Sequence, residues 1–244
     1  VPPSSRFEKD YSSDEILEDD VDVEYSESIL ELADKVIGSK NALSLGWHYR
    51  SKHTSLIDFS NYYFYDNKLT VFASNDVGSK VVHKPVENSQ YRGGVNRPEV
   101  KAVIDALLEQ IKSDNEKSII IATMNQQQEA EVNLELEAEF KNNKMLRDFD
   151  NKHQGTLNEL AVKKLEDIQG DERDVVIIST VYGPDADGKI TQMFGDINRA
   201  NGHRRLNVLF TRAKHKVILV TSLRSSNITD SKREGPQILK KYLN

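Results

Sequence analysis

The chain reads as an α/β domain built on a mostly parallel sheet covered by helices on both faces. Ile119-Ile120-Ile121-Ala122 is a short, wholly apolar run of the kind that forms a strand buried on both sides. Such runs alternate with amphipathic stretches of about a dozen residues, the signature of strands joined by helical crossovers. Two polar clusters, Gln169 to Asp174 and Arg204 to Ala213, each abut an apolar run and so bring charge to the edge of the sheet.

The elements follow in order. Residues 8–24 are acidic, poor in large apolar side chains, and read as a mobile loop. Ser26 or Ser28 caps a short helix through Ile29, Leu32, Ala33 and Val36, which Gly38 ends. Leu43 to Tyr49 alternates like a strand, with Arg50 at its carboxyl edge, and an aromatic-rich helix spans Thr54 to Tyr65. Asn96 and Glu99 have the spacing of a capping box, with Pro98 in the first turn. Val100, Val103, Ile104, Leu107 and Ile111 form the apolar stripe of the helix behind it. After strand Ile119–Ala122, Asn125 to Phe140 forms a Gln- and Glu-rich surface helix. Val162–Ile168, Val175–Val181 and Val217–Thr221 are further strands, and Ile238–Leu243 is a closing helix. Residues 141–160 show no clear period and read as an insertion or a loop. Ligands of parallel sheets meet the loops at the carboxyl ends of strands, so the polar clusters are expected there.

Composition narrows the function. Of the 244 residues, 37% are apolar and 30% charged, which fits a globular chain with a polar surface. No apolar run approaches the ~20 residues of a bilayer span and no basic-then-apolar leader opens the chain, so an intracellular protein without a membrane partner is expected. There is no cysteine, and the six histidines lack ligand-like spacing, so no metal site is expected. The net charge of −6 is unevenly spread. Residues 14–27 carry eight acidic side chains and no basic one, whereas Arg204 to Asn244 carries ten Lys or Arg against two acidic residues. The basic end suits phosphate or serves equally as a solvated helix face.

Two features bear on chemistry. On a helix from Arg204 to Ala213, Leu206, Leu209, Phe210 and Ala213 share one face while Arg205, Val208 and Arg212 share another. Two permanently charged, planar guanidinium groups held there match phosphate oxygens; the same spacing also suits a basic surface helix paired with carboxylates. Gly170 lets the backbone of the Gln169–Asp174 turn approach a ligand, or simply makes a tight polar turn. Yet no G-x-x-x-x-G-K-[ST] loop occurs to hold a triphosphate, and no Asp…Glu-x-Lys nuclease pattern is evident.

Gln169-Gly170-Asp171-Glu172-Arg173-Asp174-Val175-Val176-Ile177-Ile178-Ser179 resembles motif V of superfamily 1 helicases, in the branch similar to the nonsense-mediated-decay and replication helicases. Arg204-Arg205-Leu206-Asn207-Val208-Leu209-Phe210-Thr211-Arg212-Ala213-Lys214 resembles their motif VI, Trp47 to His53 their motif IV, and Val1 to Phe7 the tail of motif III. The missing initiator Met and the absent Gln before Val1 are read as signs of an excised fragment. The resemblance covers nearly the whole chain and implies a three-layer RecA-like, P-loop NTPase-type fold. It divides the chain into 1–27, the motif III tail with the acidic loop, and 28–244, the C-terminal RecA-like helicase domain.

The resemblance also implies roles. Arg50 and Arg212 would be arginine fingers reaching ATP held by an N-terminal RecA-like domain that carries the P-loop and the Mg²⁺ carboxylates. Gln169, Gly170, Glu172 and Arg205 would be nucleotide-binding: Gly170 and Glu172 would couple the nucleotide to domain closure with Gln169 nearby, while Arg205 and Asn207 would hold the motif VI helix in place or support the phosphate contacts. Thr123 and Gln126 would touch single-stranded DNA or RNA. An ATP-dependent helicase is implied for the full-length protein, while residues 1–244 alone would bind neither ATP nor Mg²⁺ and be inactive. The competing reading is a non-catalytic RecA-like module that binds nucleic acid or protein.

Overall fold

In the computed structural model, which describes residues 29–41, 43–72, 75–229 and 232–244, the chain divides into two units between Gly46 and Trp47. In the first, α1 (Ile29–Ile37) ends at Gly38, whose φ of +85° suits a residue without a Cβ and whose N–H bonds the Asp34 carbonyl at 3.0 Å. Ser26, Ser28, the acidic stretch and Val1 to Phe7 lie outside the described residues.

The second unit is built on five strands, all parallel: β3 (Val81–Pro85), β6 (Ile119–Thr123), β7 (Ala161–Lys164), β8 (Arg173–Ser179) and β9 (Ala213–Thr221). Their order across the sheet is β3-β9-β8-β6-β7, which puts β8 at the centre. Alternation along the central strands separates two cores. Ile120, Ala122, Val176, Ile178, Val217 and Leu219 face one way, against Leu206, Leu209, Phe210 and Leu239. Ile119, Ile121, Val175, Ile177, Ile218 and Val220 face the other, against Val103, Leu107, Val132, Leu146 and Phe149. The first face is therefore covered by α6 (Gly202–Phe210) and α7 (Glu234–Tyr242), with Phe59 of α2 (Asp58–Phe64) packed against them. The second is covered by α3 (Arg97–Ser113), α4 (Gln126–Asn142) and α5 (Lys144–His153). Each fully buried Ile or Leu contributes about 1.5–3 kcal/mol of transfer free energy, so burial on both faces fixes the sheet.

Several elements differ from the sequence reading. Leu43 to Tyr49 is not a long strand: β1 is Trp47–His48 alone, paired with β2 (Thr70–Val71) outside the main sheet. Segment 141–160 contains α5, whose Leu146 and Phe149 are buried while its polar residues obscure the helical period. The strand expected over 162–168 stops at Lys164. The edge strand β3 and the hairpin of β4 (Tyr91–Arg92) and β5 (Val95–Asn96) were not foreseen; Gly93 and Gly94, at φ of +59° and +85°, make the hairpin's two-residue loop.

Two glycines set the pose of α6. A Cβ on Gly202 would lie 2.1 Å from the Ile197 carbonyl oxygen, and one on Gly235 would lie 2.0 Å from the same atom. The first residues of α6 and α7 thus close on one carbonyl of the 3-10 turn Gly195–Asn198. Gly202→Ala is expected to cost about 1–3 kcal/mol, because backbone rather than a flexible side chain must move. Chemical denaturation checks it; an unchanged midpoint would show that α6 does not depend on this contact.

Candidate functional site

Because the sheet is parallel, the residues leading into β8 and β9 lie on one rim, the amino edge. The loop through Gln169–Glu172 enters β8, and the turn Thr211–Arg212 between α6 and β9 enters beside it, with the Arg173 N–H donating to the Arg212 carbonyl at 3.3 Å. Arg50 joins them from far away in sequence. Its neighbour Lys52 donates a backbone N–H to the Lys214 carbonyl at 2.8 Å, and the Ser51 hydroxyl donates to the Ala213 carbonyl at 3.3 Å. The segment behind β1 is thereby fastened along the start of β9.

The side chains converge. Arg50 Nε donates to Glu172 Oε2 at 2.8 Å and its Nη1 to the Thr211 carbonyl at 3.1 Å. Lys214 Nζ lies 2.9 Å from the other oxygen, Glu172 Oε1. Arg212 donates from Nε to the Val208 carbonyl at 2.8 Å, from Nη1 to the Asp171 carbonyl at 3.3 Å and from Nη2 to the Thr211 hydroxyl at 3.1 Å. Arg212 is therefore aimed by carbonyls and a hydroxyl, and its charge stays uncancelled by any ion pair among the described residues. Arg50, Arg212 and Lys214 against the Glu172 carboxylate leave these four side chains with two positive charges in excess.

The titrating groups register this field. Hydrogen bonds from Arg50 and Lys214 hold the Glu172 carboxyl down at about 2. Burial, then the neighbouring Arg50 charge, lowers Arg212 to about 10, still protonated near neutrality. Burial lowers the pKa of His48 as well, assisted by Arg50 and Arg212, and its ring bonds the Ser51 hydroxyl at 2.8 Å.

The sequence-predicted residues divide accordingly. Arg50, Arg212 and Glu172 come together, with Gly170 exposed at φ +92° and Gln169 exposed beside it. The cluster lies at the amino edge of the sheet and not at the carboxyl ends of the strands, because the motif residues precede β8 and β9 instead of following them. Helix α6 stops at Phe210, so Arg212 lies in the following turn and does not share a helical face with Arg205. Arg205 is buried and donates to the Asp196 carbonyl at 3.3 Å, apart from the cluster. Asn207 bonds the Tyr65 hydroxyl at 2.9 Å and ties α6 to the end of α2. Thr123 and Gln126 fall at the opposite, carboxyl rim. There the Thr123 hydroxyl is buried and donates to the Asn125 carbonyl at 2.8 Å, while Gln126 is exposed at the start of α4.

Sequence reasoning missed that rim's organising group. Glu99 does not cap α3; its fully buried carboxylate turns inward instead. It accepts from the Ser179 hydroxyl at 2.8 Å, the Val181 N–H at 2.6 Å, and the Ser222 N–H and hydroxyl at 3.1 Å each. It thus ties the carboxyl ends of β8 and β9 to α3. The tie holds a rare backbone: Tyr182 N–H bonds the Thr180 carbonyl at 2.7 Å across Val181, a β-branched residue at φ +70°. Gln128 adds a bond to the Ser179 hydroxyl at 3.1 Å and brackets Asn96 through its backbone N–H and carbonyl. The signal was present: Glu99 lies four residues before Val103 and eight before Leu107, in phase with the buried stripe. Lys214 had no comparable signal.

Three comparisons bear on this geometry. The model of a family described as AAA domain matches residues 75–224. A protein of Mycoplasma pneumoniae named an uncharacterized ATP-dependent helicase is 33% identical over 208 residues, 82% of this chain and 18% of that protein. Its counterpart in Mycoplasma genitalium is 32% identical over 207 residues with the same coverage. The chain thus spans less than a fifth of the length of the curated relatives it matches. A solved C-terminal domain of a possible DNA helicase from Lactobacillus plantarum WCFS1 is similar at 17% identity and a TM-score of 0.36, covering 71% of this chain and 86% of that one.

Burial pushes the Glu99 carboxyl up from its ordinary 4.5 to about 7, against the hydrogen bonds that favour its ionised form. The folded chain therefore holds this proton at pH values where the unfolded chain has released it. Its contribution is full below about 4.5 and is lost as the pH rises through about 7, a change of up to about 3 kcal/mol. Denaturant unfolding across this window should show wild-type stability falling relative to Glu99→Gln, which cannot titrate. Parallel pH profiles for the two proteins would contradict this.

Proposed function

This chain belongs to the AAA domain family, and we propose that it is the second motor domain of an ATP-dependent nucleic-acid helicase. The observation that carries the reading is the convergence of Arg50, Arg212 and Lys214 on one rim, with Arg50 and Lys214 sharing the Glu172 carboxylate and Arg212 held by the Asp171 carbonyl. Guanidinium groups keep their protons and present a planar fork to phosphoryl oxygens. At this rim they serve a nucleotide whose cradle comes from a P-loop domain elsewhere in the same protein.

In this mechanism closure of the two domains brings Arg212 and Arg50 to the transferring phosphoryl group. Arg212 arrives pre-aimed by the Val208 and Asp171 carbonyls, so little side-chain freedom is lost when it binds. Arg50 must exchange Glu172 for phosphate. Gly170 and exposed Gln169 let the loop before β8 approach the nucleotide, and Glu172 reports its presence to that loop. Arg205 supports α6 from behind, through the Asp196 carbonyl. Mg²⁺ would be held by carboxylates of the P-loop domain, while Glu172 is bonded to Arg50 and Lys214. Single-stranded nucleic acid lies along the opposite rim, where Gln126 is exposed and Thr123 fixes the backbone that presents it. Repeated closure and opening move the strand.

In the full-length protein, Arg212→Ala should lower nucleic-acid-stimulated ATP turnover by about 10³–10⁵, the range for removal of an arginine finger, while nucleotide binding persists. Steady-state phosphate release and equilibrium binding of a fluorescent nucleotide test this. Unchanged turnover would favour a non-catalytic binding module instead.

A further inference from the structure

Glu172 is shared so evenly that it raises a question about the cation on its far side. Arg50 takes one carboxylate oxygen at 2.8 Å and Lys214 takes the other at 2.9 Å. Lys214 is the second residue of β9, so its side chain starts from the sheet itself. Its carbonyl also receives the Lys52 N–H, which ties the strand to the segment carrying Arg50. The Asp171 carboxylate next door is taken by Lys163 at 2.6 Å, with Arg173 at 3.6 Å, and is not available to substitute.

We propose that Lys214 is a positioning residue for Arg50: it keeps Glu172 anchored and neutralised while the Arg50 guanidinium passes from the carboxylate to a phosphoryl oxygen. The proposal rests on the nucleotide-facing role argued above for this rim. With Lys214 in place, the departure of Arg50 leaves Glu172 a cation. Without it, the departure leaves a bare carboxylate beside incoming phosphate, and like charges oppose the exchange. Lys214 therefore contributes mainly after nucleotide has bound, as Arg50 moves, and its loss should appear in kcat rather than KM. Facing Glu172 are Arg50, from the segment after β1, and Lys214, from β9. Arg212 adds its charge from the turn before β9, held to the carbonyl of Asp171. Removing one of the two hydrogen-bonded cations moves the Glu172 carboxyl up toward the ordinary carboxylate range.

The test uses full-length protein and ATP hydrolysis followed against ATP concentration and pH. Lys214→Met should lower kcat about tenfold or more near neutral pH while KM moves less than about threefold, and the deficit should narrow as the pH falls and Glu172 gains a proton. Lys214→Arg should retain most of the activity. In a Glu172→Gln background, where the neutral amide needs no second cation, Lys214→Met should cost little more. Wild-type kcat in Lys214→Met would overturn the inference, and so would a deficit that does not narrow at low pH. So would an equal loss in both backgrounds, which would mark a structural role only. A wild-type protein that hydrolyses no ATP would instead sink the nucleotide-facing reading, and this inference with it.

Discussion

One carboxylate bonded to two cations organises the amino rim. Glu172 collects Arg50 from a segment more than a hundred residues upstream and Lys214 from the strand beside it. The pair with Arg50 is partly open to water, with side-chain exposures of 21% and 39%. Pairs in such settings are worth roughly 0–1 kcal/mol, because solvent screens them and two long side chains must be held still. That modest strength suits a group that has to change partners: a polyanionic ligand outcompetes the carboxylate without unfolding anything. Arg212 needs no such exchange, since carbonyls and a hydroxyl hold it already.

The sheet separates this rim from a second one of different chemistry. β8 begins at Arg173, next to Glu172, and ends at Ser179, which bonds the buried Glu99. At the amino end, charges are half-exposed and exchangeable. At the carboxyl end, one buried carboxylate is saturated by backbone and hydroxyl donors and stabilises a strained turn at Val181. One strand thus joins an electrostatic site at one end to a buried polar tie at the other, through apolar side chains buried on both faces of the sheet.

Much of the architecture was legible because local pattern and tertiary burial agree. Ile119 to Ala122 could only be a doubly buried strand, and the stripe from Val100 to Ile111 only a helix. Where the two conflicted, the reading failed for identifiable reasons. Leu43 and Leu45 alternate as a strand would but stay exposed, and only Trp47 and His48 find a partner strand. Helix α5 anchors itself with Leu146 and Phe149, too few apolar positions for a clear period. The expectation that ligands sit at the carboxyl ends of strands placed the arginine cluster at the wrong edge, since Glu172 precedes its strand. Glu99 was read as a cap because its spacing from Asn96 fits one; only packing shows that the carboxylate meets four better donors inside. Lys214 becomes visible only once β8 and β9 are laid side by side.

The account is tested most directly by a structure of the full-length protein trapped with ADP and aluminium fluoride, which mimics the transferring phosphoryl group. It predicts the fluoride between the Arg50 and Arg212 guanidinium groups at the amino rim, with Glu172 retained by Lys214 alone. Nucleotide bound at the carboxyl rim, or Arg50 still paired with Glu172 beside a filled site, would contradict it.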